Sequence, residues 1–220
     1  MTVGTTKTSP MPWKAVLFDL DGTLLDGFAP ITYALNKTLI EFGLEPMDEV
    51  AIQRHTGRGE CSMISLFGDR REEAGKRFLE FHDEKLFDVT PMAEATEMLE
   101  MLHQQGLKLA IVTSKSQIRA DQQLAHLGWT DYFGSIIGLT PQRRQKPDPH
   151  TIYLACEALQ VSPEHALMIG DGIADMKAAV NASTTAVGVC HSFTSDELIE
   201  AGAMLAFADL PAIRQWMLKL

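Results

Sequence analysis

The sequence predicts an α/β protein with a doubly wound parallel sheet, interrupted after its first strand by an all-helical insert. From about residue 92 onward, short apolar runs alternate with stretches whose apolar residues recur at helical spacing. Between about residues 27 and 88 the patterns are all helical and include no convincing strand. Because strands that are apolar throughout are typical of parallel sheets covered on both faces, the alternating part should form the core.

The first strand is predicted at Ala15–Phe18, within "KAVLFDLDGTLLDG". Later strands are predicted in "LKLAIVTS", "SIIGLT", "HALMIGDG", "TTAVGVC" and "AMLAFAD". The intervening helices are predicted in "MAEATEMLEMLHQQG", "QIRADQQLAHLG", "PHTIYLACEALQ" and "IADMKAAVNA", and near residues 196–200. This alternation of strands and helices supports a doubly wound α/β core.

The helical insert carries three amphipathic patterns, "ITYALNKTLIEFG", "MDEVAIQRHTG" and "REEAGKRFLEFHDEKLF". At about 60 residues it is far longer than an ordinary loop. We therefore expect a flexible N-terminal tail at 1–12, a core domain at 13–26 and 89–220, and a helical cap domain at 27–88. Since the insert follows directly after an acidic strand end, it should lie as a lid over that end.

Composition excludes several classes of function. The net charge is −10, from 29 acidic and 19 basic residues, and no basic stripe indicates nucleic-acid binding. No apolar run approaches the roughly 20 residues of a membrane span, and the polar N-terminus lacks the hydrophobic segment of a secretory signal. The three cysteines have no zinc or disulfide spacing. We expect a cytoplasmic protein, either a monomer or a homodimer.

Polar residues follow the predicted strands at the ends where open parallel sheets bind ligands. Taken singly, each has an ordinary explanation as a turn residue, a helix cap or a solvated charge. Their arrival at successive strand ends instead favours one shared site. In chain order they are Asp19 and Asp21, Thr113 and Ser114, Lys146, Asp171 and Asp175.

The acids of this group indicate a metal site. Carboxylates packed together raise one another's pKa unless a cation lies between them. Mg²⁺ takes oxygen ligands and commonly binds through a few carboxylates together with substrate phosphate and water. The acidic strand ends are therefore interpreted as a partial Mg²⁺ site that a phosphorylated ligand completes.

Four segments, "DLDGT", "VTS", "KPDP" and "GDGIAD", resemble in order and spacing the motifs of the haloacid dehalogenase superfamily. The resemblance extends from about Lys14 to the C-terminus and implies a Rossmann-like core. The insert resembles the helical cap of the phosphoglycolate phosphatase and β-phosphoglucomutase-like branch. One departure is Gly172, where that branch usually has Ser; "GDGIADM" is closer to the phosphoserine phosphatase-like variant and leaves Asp171 in place.

The resemblance implies a Mg²⁺-dependent phosphatase acting on a small phosphomonoester, a phosphorylated metabolite for which phosphoglycolate-like and sugar-phosphate substrates are favoured. Asp19 would be the nucleophile that becomes an aspartyl-phosphate. Asp21 would be the general acid and then the general base. Lys146 would stabilise the charge of Asp19 and of the phosphoryl group.

The resemblance also implies the ligands. Asp19, Asp171 and Asp175 would bind Mg²⁺, as would Asp21 through its backbone carbonyl. Thr113 and the backbone N–H of Ser114 would hold the phosphoryl oxygens, with Gly22 and Thr23 orienting the loop and phosphate. Within the insert, Arg58 in "HTGRGE" is a candidate substrate ligand, because its flanking glycines permit close approach and Arg suits a carboxylate or phosphate.

Alternative functions remain open on these residues. A phosphomutase on sugar phosphates needs the same groups and differs in the lifetime of the aspartyl-phosphate. A non-catalytic protein that uses the fold to bind a ligand or partner would have no need of the nucleophile. A dehalogenase is disfavoured because Asp21 would have no role, and a phosphonate hydrolase because no cap lysine has a context that favours a Schiff base.

Overall fold

The computed structural model describes residues 12–57 and 65–220, and its main feature is a six-stranded parallel sheet between layers of helices. This confirms the predicted fold class. The strands of this sheet are β1 (Ala15–Phe18), β4 (Lys108–Ser116), β5 (Ser135–Leu139), β6 (Ala166–Gly170), β7 (Thr185–Val189) and β8 (Leu205–Phe207). Their order across the sheet is β5-β4-β1-β6-β7-β8.

The first strand lies in the middle of this sheet. In β1, Phe18 is paired with Ile111 of β4 on one side and with Ile169 of β6 on the other. All four residues of β1 are buried, and they alternate between the two apolar clusters that cover the faces of the sheet. The strand that ends at the predicted nucleophile is therefore held on both edges.

The helices follow the predicted pattern closely, with one addition. They are α1 (Phe28–Glu41), α2 (Glu49–Gly57), α3 (Arg71–Asp83), α4 (Ala95–Gln104), α5 (Gln117–His126), α6 (His150–Leu159), α7 (Ile173–Asn181), α8 (Ser195–Glu200) and α9 (Leu210–Met217). The last of these was not predicted. It begins where the Asp209 side chain accepts a hydrogen bond from the Ala212 amide at 2.8 Å, and Leu210 and Ile213 are buried.

Two short strands join the insert to the core. They are β2 (Leu25–Asp26) and β3 (Thr90–Pro91), which pair in an antiparallel fashion. Neither was predicted, because two residues are too few to show alternation. They bring the outgoing and returning segments of the chain side by side.

The described helices of the insert share a small apolar cluster and contact the core through polar pairs. Phe28, Leu35 and Ile52 belong to this cluster. The Asp83 carboxylate accepts two hydrogen bonds of 2.7 Å from the guanidinium of Arg119 in α5. We propose residues 27–88 as a cap domain; of the proposed tail, residues 1–11 lie outside the described residues. Among the described helices, none has the length and apolar character that crossing a membrane requires.

Candidate active site

Asp19 and Lys146 meet at the carboxyl end of β1. The Asp19 amide continues the sheet by donating to the Ile169 carbonyl at 2.9 Å, so its side chain leaves a fixed backbone. The Lys146 Nζ lies 2.8 Å from Oδ1 of Asp19, 2.5 Å from Oδ1 of Asp175 and 2.9 Å from the carbonyl oxygen of Val112. The ammonium group thus has three oxygen partners.

The Lys146 side chain is only 3% exposed, against 14% for that of Asp19. Burial opposes the charged form of Lys146, but the attraction of Asp175 and Asp19 outweighs this effect and raises its pKa. Lys146 is therefore a cation at neutral pH. Asp19 keeps the greater access to solvent, as a group that must meet a ligand requires.

Asp171 and Asp175 face Asp19 from the start of α7. The Asp175 Oδ2 accepts a hydrogen bond of 2.9 Å from the Gly172 amide, which fixes the carboxylate at the helix N-terminus. The Asp171 Oδ2 accepts a hydrogen bond from the Ser192 hydroxyl. One carboxylate oxygen from each of Asp19, Asp171 and Asp175 lies within 4.8 Å of the others.

Burial and the repulsion between neighbouring carboxylates raise the pKa values of Asp171 and Asp175. Burial, followed by the charge of Asp19, raises the pKa of Asp175 to about 6. Burial, followed by the charges of Asp19 and Asp175, raises the pKa of Asp171 well above its usual range. Three close carboxylate oxygens, two of them from buried residues, are the donor set of a hard divalent cation. The residues present therefore fit Mg²⁺.

Asp21 points away from this cluster. Its Oδ1 lies 2.8 Å from the Nζ of Lys115, and their side chains are only 9% and 5% exposed. Burial raises the pKa of Asp21, and the nearby Lys115 only partly offsets that effect. The side chain of Asp21 is thus paired with Lys115 and is not part of the three-carboxylate group. Its predicted role as a metal ligand concerns its backbone carbonyl.

Thr113 and Ser114 lie in an irregular part of β4. The pairing of β4 with β5 shifts register between Val112 and Ser116, so this stretch leaves the regular ladder. Thr113 is buried and its hydroxyl oxygen accepts from the Lys115 amide at 3.2 Å. Ser114 is half-buried beside it. The irregularity lies at the strand end where a ligand is expected.

Gly22 and Thr23 both contact Asp171. A Cβ at Gly22 would lie 2.4 Å from Oδ2 of Asp171, and its φ of +81° also favours glycine. The Thr23 hydroxyl is fully buried and donates to Oδ1 of Asp171 at 3.5 Å. These two residues therefore support the acidic cluster. The remaining predicted site residue, Arg58, lies outside the described residues.

Three polar residues near the site were missed by the sequence analysis. Lys115 directly follows the predicted pair in "VTSKS", where a charge at the end of a buried strand was a usable signal. Ser192 lies shortly after the end of β7, which is also a buried strand. Arg54 in α2 gave no such signal. Its guanidinium makes a 2.5 Å ion pair with Glu197 and donates a hydrogen bond to the Ser192 carbonyl at 3.4 Å.

Comparison with known proteins agrees with this geometry. Residues 16–189 match the family of haloacid dehalogenase-like hydrolases. The chain belongs to this family. The match runs from the second residue of β1 to the end of β7 and hence includes every predicted site residue of this haloacid dehalogenase-like hydrolase.

Individual relatives in the comparison are phosphatases by name. A phosphoglycolate phosphatase of Rhodospirillum rubrum is 30% identical, over 93% of this chain and 90% of its own length. One of Aquifex aeolicus is 35% identical, over 78% of this chain and 82% of its own. The crystal structure described as a predicted phosphatase from Clostridium acetobutylicum has a TM-score of 0.84 at 25% identity, covering 94% of this chain and 99% of that one. Together with the family, these relatives support assignment as a phosphoric monoester hydrolase.

Proposed function

We propose that the chain hydrolyses a small phosphomonoester through an aspartyl-phosphate on Asp19, with phosphoglycolate as the favoured substrate. The observation that carries this proposal is the Asp19 carboxylate, partly open to solvent and flanked by Lys146 and two further acids. The choice of substrate rests on the names of the curated relatives.

In the first step, a carboxylate oxygen of Asp19 attacks the phosphorus atom. Because Lys146 binds Oδ1, we assign the attack to Oδ2. A bond forms between this oxygen and phosphorus, and the ester P–O bond breaks. Asp21 in its protonated form gives its proton to the departing alkoxide, which leaves as an alcohol. Burial favours the protonated form of Asp21.

In the second step, the ionised Asp21 takes a proton from a water molecule that attacks the same phosphorus atom. The bond between phosphorus and the Asp19 oxygen breaks, so the carboxylate is restored and inorganic phosphate is released. Asp21 ends protonated, ready for the next turnover. The same residue can serve both steps because the leaving group and the water occupy the same side of the phosphoryl group.

The surrounding residues hold the transferring group. The Thr113 hydroxyl and the Ser114 N–H bind phosphoryl oxygens, and the Gly22 and Thr23 loop keeps Asp171 in place. Lys146 offsets negative charge on the nucleophile and on the phosphoryl group. Fixed charges and donors of this kind contribute most when the site is shielded from water.

Asp19, Asp171, Asp175 and the backbone carbonyl of Asp21 would hold Mg²⁺. Bound there, Mg²⁺ would offset the phosphate charge that repels an anionic nucleophile such as Asp19. The proposal therefore requires a divalent cation for turnover.

Substrate choice is assigned to the cap. Arg58 is proposed to bind the substrate carboxylate, because a guanidinium matches a carboxylate with two parallel hydrogen bonds. Replacing it in the variant Arg58→Met should raise KM for phosphoglycolate by at least about tenfold. The same change should leave KM for p-nitrophenyl phosphate, which has no carboxylate, within about threefold.

The test is release of inorganic phosphate with Mg²⁺ and then with excess EDTA. Substrates are p-nitrophenyl phosphate and a panel of glycolate, sugar, nucleotide and amino-acid phosphates. The proposal expects turnover with Mg²⁺, loss of turnover with EDTA and highest kcat/KM for phosphoglycolate. Interconversion of two sugar phosphates without phosphate release would instead support a mutase, and no activity over the whole panel would support a binding protein.

A further inference from the structure

Lys115 is the closest cation to the proposed acid and base among the residues that the structure describes. We propose that Lys115 is a positioning residue for Asp21 and that Gln123 makes this positioning depend on the returning segment of the cap. The inference rests on the proposed function, since it concerns the residue assigned to proton transfer. It starts from the 2.8 Å contact between Lys115 Nζ and Oδ1 of Asp21.

Gln123 fixes the direction of the Lys115 side chain. The Gln123 side chain is fully buried in α5, and its amide oxygen accepts a hydrogen bond from Lys115. Its amide nitrogen donates to the carbonyl oxygen of Leu86 at 2.7 Å. Because the oxygen and the nitrogen of the amide each have a partner, only one orientation of the amide satisfies both contacts.

Leu86 connects this network to the cap. It lies between the end of α3 at Asp83 and the start of β3 at Thr90, where the chain returns to the core. Hydrogen bonds thus run from Asp21 through Lys115 and Gln123 to this returning segment. A displacement of the Leu86 carbonyl would remove the partner of the Gln123 amide and release Lys115.

The outgoing segment of the cap lies against the same carboxylate oxygen of Asp21. A Cβ placed at Gly27 would lie 1.8 Å from Oδ1 of Asp21, so the carboxylate occupies the space beside this glycine. Gly27 directly precedes α1. Asp21 is therefore adjacent to the outgoing segment at Gly27 and is connected to the returning segment at Leu86 through Lys115 and Gln123.

This arrangement predicts which step depends on Lys115. With Oδ1 held by Lys115, the second carboxylate oxygen can exchange a proton with the leaving group or with water. Without Lys115, the buried carboxylate loses its charged partner and its orientation. Attack by Asp19 does not need that orientation when the leaving group is a weak base, whereas attack by water on the aspartyl-phosphate does.

The experiment compares Lys115→Met with wild type, using phosphoglycolate for steady-state kinetics and p-nitrophenyl phosphate for rapid mixing. We expect kcat for phosphoglycolate to fall about 100-fold in Lys115→Met, with KM within about threefold. Rapid mixing should show a burst of p-nitrophenol followed by slow turnover. Lys115→Arg, which keeps a donor, should recover at least a tenth of the wild-type kcat.

The matched control is Lys108→Met. Lys108 lies on the same strand as Lys115, but at its other end, where it donates to the Leu159 carbonyl. It should keep wild-type kcat and show no burst. Gln123→Met should lower kcat by about tenfold with KM unchanged, because Lys115 remains but loses its fixed direction.

The outcomes separate the two proposals. An active wild type with Lys115→Met within threefold of its kcat, or a Lys115→Met variant without a burst, would overturn this inference alone. A wild type without phosphatase activity would overturn the proposed function and this inference with it. If Lys115→Met does not fold, the decision falls to Gln123→Met, and an unchanged kcat in that variant overturns the inference.

Discussion

Lys146 lies between two carboxylates, with its Nζ 2.8 Å from Asp19 and 2.5 Å from Asp175. In the part of the chain that the structure describes, the Lys146 ammonium group is the cation in direct contact with the cluster formed by Asp19, Asp171 and Asp175. Without the Lys146 ammonium group, the carboxylates of the cluster should repel one another more strongly in a largely buried site. The interaction therefore contributes to stability as well as to the proposed chemistry.

The variant Lys146→Met should unfold more easily in metal-free buffer, by about 3–5 kcal/mol, since it leaves buried carboxylates without their cation. Added Mg²⁺ should recover part of the loss. Urea denaturation at pH 7.5 with EDTA and with Mg²⁺ measures both effects. Lys177→Met removes an exposed lysine of α7 and serves as the control; equal losses in the two variants would contradict the role of Lys146.

Asp19→Asn should abolish turnover while leaving the fold intact. Asparagine keeps the shape of the side chain but lacks the ionised oxygen that attacks phosphorus, so kcat should fall at least about 10³-fold. Phosphate release and circular dichroism measure activity and fold. Asp26→Asn, an exposed acid in β2, should remain near wild type. Activity of Asp19→Asn close to wild type would remove the nucleophile assignment.

Asp171→Asn should have opposite effects on stability with and without metal. In EDTA it should stabilise the protein by about 1 kcal/mol, because the neutral amide relieves the repulsion that raises the pKa of Asp171. In Mg²⁺ it should lose most of the metal-dependent increase in Tm. Thermal denaturation and calorimetric titration with Mg²⁺ measure these changes, with the exposed Asp131→Asn as control. An undiminished metal-dependent Tm increase would argue against Asp171 as a ligand.

His82 predicts a pH dependence of stability. It is buried at the end of α3, and burial together with the charges of Lys115 and Arg119 lowers its pKa to about 4. Because the folded pKa lies below the unfolded value of about 6.5, the unfolded state binds the proton first. The contribution of neutral His82 to the free energy of unfolding is fully present above pH 6.5 and is lost as pH falls toward 4. Between pH 8 and 5 the loss should be about 2 kcal/mol.

The measurement for His82 is urea denaturation at pH 8 and pH 5, for wild type and for His82→Gln. Other groups also titrate in this range, so the informative quantity is the difference between the two proteins at each pH. That difference should shift by about 2 kcal/mol in favour of the variant as pH falls. A difference that does not change with pH would show that folding does not lower the pKa of His82.

Gly27→Ala should impair turnover more than stability. Its φ of −107° suits any residue, but the new Cβ would lie 1.8 Å from Oδ1 of Asp21, so the carboxylate must move. We expect kcat to fall by about tenfold with Tm near wild type. Gly106→Ala gives the opposite pattern, since it has open space but a φ of +77°, and should lower Tm without changing kcat.

The sequence was sufficient to predict the sheet and the strand-end acids for physical reasons. The buried runs ending at Asp19 and Asp171 show their strands by apolar content, and parallel strands bring their carboxyl ends to one edge. Lys146 and Thr113 follow from the same rule. The resemblance of the motifs to a known family then implied a role for each of these residues.

The features that were not predicted from the sequence depend on side-chain partners or on weak local patterns. The pairing of Asp21 with Lys115 could not be predicted, because the sequence pattern does not show in which direction either side chain extends. Gln123 lies on a helix face and acquires its contact from Leu86, a residue 37 positions away. Helix α9 was missed, although the Asp209 cap and the following proline were a readable start signal.

The position of β1 separates the proposed nucleophile from the insert to which we assign the selection of the substrate. Asp19 extends from a strand clamped by neighbours on both edges, while the helical insert joins the core through the short β2 and β3 pair. Exchanging the insert for that of a relative should leave Asp19 in place, whereas Asp21 should keep its position only if the contacts at Gly27 and Leu86 are retained. Substrate preference in such a scaffold can diversify through the insert while the central strand conserves one chemistry.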